Sequence, residues 1–114
     1  PADGIPYWDF DAPGIPDEPR DVSAATVIAS ALYELSLYDP EKGERYRSNA
    51  DKIIENLTKH YRATLKKDNG FLLLHSTGTK PTNTEVDVPI VYADYYFIEA
   101  LMRKNKLEKT GKLF

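Results

Sequence analysis

The sequence predicts an all-α chain of three helices joined through two long loops. Three observations carry that prediction. Apolar residues recur three and four apart in two stretches, roughly 22–38 and 40–65. A third stretch, 90–102, is apolar or aromatic nearly all the way round. Proline and glycine punctuate the remainder and keep regular structure out of residues 1–20 and 75–86.

Residues 1–20 contain Pro1, Pro6, Pro13, Pro16 and Pro19, with Gly4 and Gly14 between them. Tyr7, Trp8 and Phe10 sit in the same segment, which a flexible linker would not carry. An ordered loop, pinned by its rings, is expected. The first helix runs from about Val22 to Tyr38, capped by Asp21 or Ser23. Ala25, Ile28, Leu32 and Leu35 mark one side, and the small residues Ala24, Ala29, Ser30 and Ala31 the other. A helix apolar on one side and small on the other is suited to packing on both.

Asp39-Pro40 opens the second helix as an N-cap followed by proline at the first position. The helix pauses near Gly43 and continues to about Leu65. Tyr46, Ala50, Ile53, Leu57 and Tyr61 form its apolar stripe, and Arg45, Asn49, Lys52, Glu55 and Lys59 its solvated side. Asp68-Asn69-Gly70 turns the chain into a short apolar run, Phe71–Leu74, read as extended. The loop 75–86 is long for a compact domain, and long ordered loops often carry function.

The third helix begins near Asp87-Val88-Pro89 and ends near Asn105. Ile90 to Met102 is apolar enough on every side to belong in a core, which three helices cannot build around it. The chain therefore needs more protein, from a missing segment or another subunit. Lys104–Phe114 reads as a basic, frayed tail. The order of inner, outer and inner helix is that of helical barrels. Both long loops then emerge at one end, which brings Trp8 and Asp9 near Ser76 and Thr79.

At 114 residues the chain is a single unit, 1–114. A net charge of −3 offers no basic footprint for nucleic acid and no basic face for a membrane surface. The longest apolar stretch is broken by Asp94 and Glu99, far short of the roughly 18 residues that span a bilayer. Cysteine is absent, which removes disulfide and thiolate chemistry; it does not settle the compartment, and the bacterial cytoplasm and periplasm both stay open. The first residue is Pro1 with no leader pattern, so a further upstream segment is expected. Tyr is abundant, eight against four Phe and one Trp. A ring with a hydroxyl suits a half-apolar, half-wet surface such as a sugar pocket, although ordinary amphipathic packing explains any single Tyr.

Three blocks together carry a resemblance. They are Pro6-Tyr7-Trp8-Asp9-Phe10-Asp11-Ala12-Pro13 with Arg20-Asp21-Val22-Ser23-Ala24-Ala25; Phe71-Leu72-Leu73-Leu74-His75-Ser76 through Glu85-Val86-Asp87-Val88-Pro89; and Tyr92-Ala93-Asp94-Tyr95-Tyr96-Phe97-Ile98-Glu99-Ala100-Leu101. In order and spacing they resemble the C-terminal portion of glycoside hydrolase family 88, the unsaturated glucuronyl hydrolases. The resemblance implies the C-terminal hairpins of an (α/α)6 barrel and an unsaturated oligosaccharide as substrate. It implies a hydrolase that hydrates the vinyl ether of a terminal 4,5-unsaturated uronic acid, with an aspartic acid as proton donor and water activator. It also implies that both essential aspartates lie upstream, in the missing part of the barrel. No catalytic residue, metal or cofactor is therefore assigned here. A neighbouring helical-barrel family acting on unsaturated rhamnogalacturonan fragments is an alternative, as is a non-catalytic helical sugar-binding or interaction module.

Candidate substrate contacts are Ser76 and Thr79, the hydroxyl pair three apart that some members of the family use, together with His75 and Trp8. Each has a plain structural alternative. Hydroxyls in loops bond nearby backbone, His75 sits at a strand end, and Trp8 can plug the barrel end. Lys80 reads as a surface lysine. Asp9, Asp11 and Asp21 lack the ordered oxygen pattern of a calcium loop. Asp94 and Glu99, inside an apolar helix, must be paired or face a cavity.

Overall fold

The computed structural model describes all residues, 1–114. It contains three helices and no sheet: α1 (Val22–Leu35), α2 (Gly43–His60) and α3 (Val91–Thr110). The all-α class and the helix order are as expected, and the ends differ in instructive ways. Asp21 caps α1 from extended backbone, accepting the Ser23 N–H. α1 closes at Leu35 because the next two N–H groups, of Leu37 and Tyr38, donate three residues back to Glu34 and Leu35. The Ser36 hydroxyl also donates to the Tyr33 carbonyl.

Asp39 caps a turn rather than the helix itself. Its carboxylate accepts the N–H groups of Glu41 and Lys42, and α2 begins only at Gly43. Glycine is required there, since a Cβ would lie 2.3 Å from the Ser36 carbonyl oxygen. α2 also stops at His60, five residues before the expected Leu65. The cause is pairing: Leu74 N–H donates to Tyr61 O, and Ala63 N–H to Leu72 O. Phe71–Leu74 is extended, as read, and fully buries Leu73.

α3 runs to Thr110, and the expected frayed tail does not exist. Leu107 falls on the same side as Ala93, Phe97 and Ala100 and is buried with them. Gly111 ends the helix in left-handed backbone, donating to Leu107 O. Leu113 is buried too, and Lys106 Nζ holds its carbonyl at 2.6 Å. The basic residues coat the outside of a packed turn.

α1 lies between the other two helices, which barely touch each other. Its buried side is Val22, Ser23, Ala25, Thr26, Ala29, Ser30 and Tyr33, a mix of both expected sides: Ile28 and Leu32 are only partly buried, Ala24 is half-buried, and Ala31 and Leu35 are exposed. Small residues let helix backbones approach closely. Polar braces tie the bundle. Tyr33, fully buried, donates to Asp51 at 2.7 Å, and Lys104 reaches the same carboxylate at 2.5 Å. Burial and the Asp51 charge push the Tyr33 hydroxyl far above its ordinary value. Arg103 bridges Glu34 at 2.8 Å and Glu99 at 3.7 Å, and Glu99 accepts the Ser30 hydroxyl. Asp94 accepts the N–H groups of Leu72 (2.8 Å) and Leu73 (3.1 Å). Both acids inside the apolar helix are thus paired.

The whole is a slab of 42 × 35 × 21 Å. It exposes 7200 Å², where a compact monomer of its mass exposes roughly 6300 Å². The outer side of α3 contributes a row of exposed apolar residues, Val91, Tyr95, Ile98 and Met102.

Candidate functional site

The two loops do meet, at the N-terminus of α1. Val22 N–H donates to His75 O at 3.1 Å. Asp21 Oδ1 accepts Ser23 N–H (3.0 Å), the Ser23 hydroxyl (2.6 Å) and Thr77 N–H (3.3 Å). Thr77 returns a bond, its hydroxyl donating to Arg20 O at 3.0 Å. The helix cap and the second loop are one construction. Beyond it, residues 76–79 pair antiparallel with 84–88 through Ser76–Val88 and Thr79–Thr84. The tip, Lys80–Thr82, is a single tight turn released by Asn83 in left-handed backbone.

Against this junction lies a cleft of about 370 Å³, lined by Glu18, Pro19, Arg20, Tyr61, His75 and Asp87. His75 and Asp87 both adopt left-handed backbone, with φ of 66° and 54°. That conformation is uncommon outside glycine, and Asn, Asp and His are the residues that adopt it most readily. It brings His75 Nδ1 to 2.6 Å from Asp87 Oδ1, and the ring meets Tyr61 edge to face at 6.0 Å. Arg20 stacks 4.4 Å over the Tyr7 ring, and its Nη1 pairs with Asp3 at 3.1 Å and donates to Ile5 O. Tyr61 donates to Asp3 from the far side at 3.1 Å. Burial works to raise the Asp3 pKa, but the Ile5 N–H, the Arg20 charge and Tyr61 outweigh it and hold the carboxyl below its ordinary value. Burial, then the Asp3 charge, raises Tyr61.

The residues expected at the site are distributed unevenly. His75 is exposed and lines the cleft. Trp8 is half-buried and reaches it indirectly, its Nε1 donating to Glu18 Oε2 at 2.8 Å. Thr79 is half-buried where the ribbon meets its tip. Ser76 is fully buried, and its hydroxyl has no hydrogen-bond partner. Arg20, Tyr61 and Thr77 were not named as site residues from the sequence: Tyr61 read as part of the helical apolar stripe, and a lone Arg or Thr in loop-like sequence carries no signal of what it will meet. The carboxylates Asp9, Asp11 and Asp21 do not converge, since Asp9 accepts the Asp11 N–H and Asp21 is occupied as described. A larger concavity of about 640 Å³ lies elsewhere, on the outer side of α3. Its lining is mainly apolar and shares no residue with the cleft. The cleft, with two carboxylates, an imidazole and a phenol, is the one equipped to hold hydroxyl groups.

No family model matches the chain. It is 52% identical over 110 residues to an unsaturated glucuronyl hydrolase of Formosa agariphila, an alignment spanning 94% of this chain and 26% of that protein. Among solved structures, an unsaturated glucuronyl hydrolase specific for heparin superposes with a TM-score of 0.92 at 44% identity, over 96% of this chain and 29% of its own. The Streptococcus agalactiae unsaturated glucuronyl hydrolase, solved as a variant with dGlcA-GalNAc6S, superposes with a TM-score of 0.81 at 29% identity, over 89% of this chain and 28% of its own. The chain spans about a quarter of the length of the curated relatives it matches. With its three sequence blocks, its helical-barrel packing and these likenesses, the chain belongs to the unsaturated glucuronyl hydrolases of glycoside hydrolase family 88.

Proposed function

We propose that the longer protein of which this chain is a part hydrates and cleaves the terminal 4,5-unsaturated uronic acid from lyase-generated oligosaccharides. This chain supplies one wall of the substrate site, and the catalytic acid comes from the missing part of the barrel. The observation that carries the reading is 52% identity to an unsaturated glucuronyl hydrolase along nearly the whole chain. The acids fit that division of labour: Asp94 holds two backbone N–H groups, Asp21 three donors and Asp9 the Asp11 N–H, so each has a structural role in the fold.

His75, Thr79 and Trp8 form the proposed wall, His75 lining the cleft and Trp8 tied to it through Glu18, with Ser76 buried next to His75 in the chain. Ser76 has the one buried side-chain polar atom without a partner. That hydroxyl is closed off from solvent, so a ligand oxygen meets it only when the ribbon around it gives way, and the contact then fills its unmet hydrogen-bonding capacity. Each neutral hydrogen bond lost should raise KM about two- to tenfold, from roughly 0.5–1.5 kcal/mol, so His75→Ala and Ser76→Ala in the longer protein both raise KM. A Ser76→Ala enzyme with unchanged KM assigns that hydroxyl to packing alone. Turnover is followed by loss of the ultraviolet absorbance of the C4=C5 double bond. The reading requires turnover of unsaturated glucuronyl disaccharides. Turnover confined to unsaturated rhamnogalacturonyl disaccharides would replace it with the neighbouring activity.

A further inference from the structure

His75 and Asp87 immediately precede Ser76 and Val88, which exchange two backbone hydrogen bonds of 2.9 Å. In a regular antiparallel ladder they would be diagonal neighbours, roughly 7–8 Å apart. Left-handed backbone at both, with φ of 66° and 54°, turns their side chains together instead, and His75 Nδ1 lies 2.6 Å from Asp87 Oδ1. Such backbone costs energy in a residue with a side chain and persists where its surroundings hold it. Both residues are held. His75 O accepts the Val22 N–H at 3.1 Å. The Thr77 hydroxyl, which donates to Arg20 O, accepts the Asp87 N–H at 3.4 Å.

The two side chains are 48% and 57% exposed, so their attraction alone is weak. The consequence of the contact is chemical. A carboxylate only accepts hydrogen bonds, so Nδ1 carries the hydrogen and Nε2 is the nitrogen left for a ligand. Nε2 makes no hydrogen bond within the chain. The other groups lining the cleft do not compete for the ring. Tyr61 meets it edge to face while its hydroxyl donates to Asp3, Arg20 pairs with Asp3, and Glu18 accepts the Trp8 indole N–H.

We infer that Asp87 is a positioning residue: it fixes His75 as the Nδ1–H tautomer and so presents Nε2 to the substrate as the acceptor for a sugar hydroxyl. The inference rests on the reading of His75 as part of the substrate wall, and adds to it a second residue and a direction of hydrogen bonding. Asp87 acts through His75 and does not itself touch the sugar.

The chain has two histidines, His60 and His75, so its imidazole signals are few. Long-range proton–nitrogen NMR spectra show which ring nitrogen carries the hydrogen, and the signals lost in His75→Ala assign that ring. At a pH where the ring is neutral, the unmodified 114-residue chain should show Nδ1–H in excess over Nε2–H by about threefold or more, the ratio expected of one half-exposed bond to a charged group. Asp87→Gly removes the carboxylate yet accepts left-handed backbone, and should abolish that excess. In the longer protein, Asp87→Gly should raise KM for an unsaturated glucuronyl disaccharide as far as His75→Ala does, about two- to tenfold with kcat unchanged. The double variant should be no worse than His75→Ala alone. An excess of Nε2–H in the unmodified chain overturns the inference, as does a ratio that Asp87→Gly leaves unchanged. Losses that add in the double variant also overturn it, since Asp87 then acts without His75. If Asp87→Gly does not fold, the ratio in the unmodified chain still decides. The expected tautomer with KM unmoved by His75→Ala would defeat the wall reading, and the positioning role with it. KM raised by His75→Ala with the opposite tautomer would keep the wall and remove Asp87 alone.

Discussion

Replacing Asp21 by alanine should loosen the fold and the candidate site together. Three donors converge on its Oδ1: Ser23 N–H at 3.0 Å, the Ser23 hydroxyl at 2.6 Å and Thr77 N–H at 3.3 Å. Loss of an N-cap costs about 1 kcal/mol. Thr77 is buried, so its N–H is left without water or partner, which costs about 1–3 kcal/mol. The 3.3 Å separation is long, and the lower end of that range applies. The sum is roughly 2–3 kcal/mol. At about 4–6 °C per kcal/mol for a domain of this size, Asp21→Ala should lower Tm by about 10 °C. Asp21→Asn keeps an acceptor oxygen in place and should lose well under half as much. Thermal unfolding followed by circular dichroism measures both. Hydrogen exchange at the Thr77 amide localises the damage. An Asp21→Ala chain that melts within about 2 °C of the parent would refute the reasoning, as would equal losses for the two variants.

Other consequences follow from the same geometry. Asp94→Ala leaves two N–H groups of the Leu72–Leu73 segment unpaired and should destabilise by roughly 2–4 kcal/mol, read from the denaturation midpoint. Gly43→Ala places a methyl 2.3 Å from a backbone oxygen that cannot swing aside, and about 1–3 kcal/mol of stability should be lost. Asp3 and Asp51 both titrate below their ordinary values in the folded chain, because bonds to Ile5, Arg20 and Tyr61, and to Lys104 and Tyr33, outweigh burial. Their contribution is therefore present above the unfolded value, about 3.9, and is lost as pH falls through the lower folded value. Lys104 is raised, its bonds to Asp51 and Glu108 outweighing burial, so its contribution persists below about 10.4 and is lost as pH rises beyond. Tm against pH should fall at both limits, and Asp3→Asn should flatten the acid limb.

Much of this architecture was legible in the residues. The stretch Ile90–Met102 is too apolar for a three-helix chain to surround, and the outer row Val91, Tyr95, Ile98 and Met102 is indeed bare. Asp94 and Glu99 had to be paired inside such a helix, and they are. What escaped prediction was decided by tertiary contact. α2 ends early because residues 61–63 find partners at 72–74, a pairing that helical periodicity cannot anticipate. The tail is ordered because Leu107 and Leu113 are anchored, a signal outweighed by the lysines around them. Within His75–Thr79 the hydroxyl residues look alike in sequence. Left-handed backbone at His75 then turns its side chain outward while Ser76 and Thr77 are buried, and Thr77 becomes the residue that joins the two loops.

The proposed division between a pocket wall in this chain and a catalytic acid outside it has one direct test. The 114-residue chain and the longer protein are each incubated with an unsaturated glucuronyl disaccharide, and the double-bond absorbance is followed. The account predicts steady loss with the longer protein and none with the 114-residue chain alone. Measurable turnover by the isolated chain would contradict it and place a catalytic acid among the carboxylates described here.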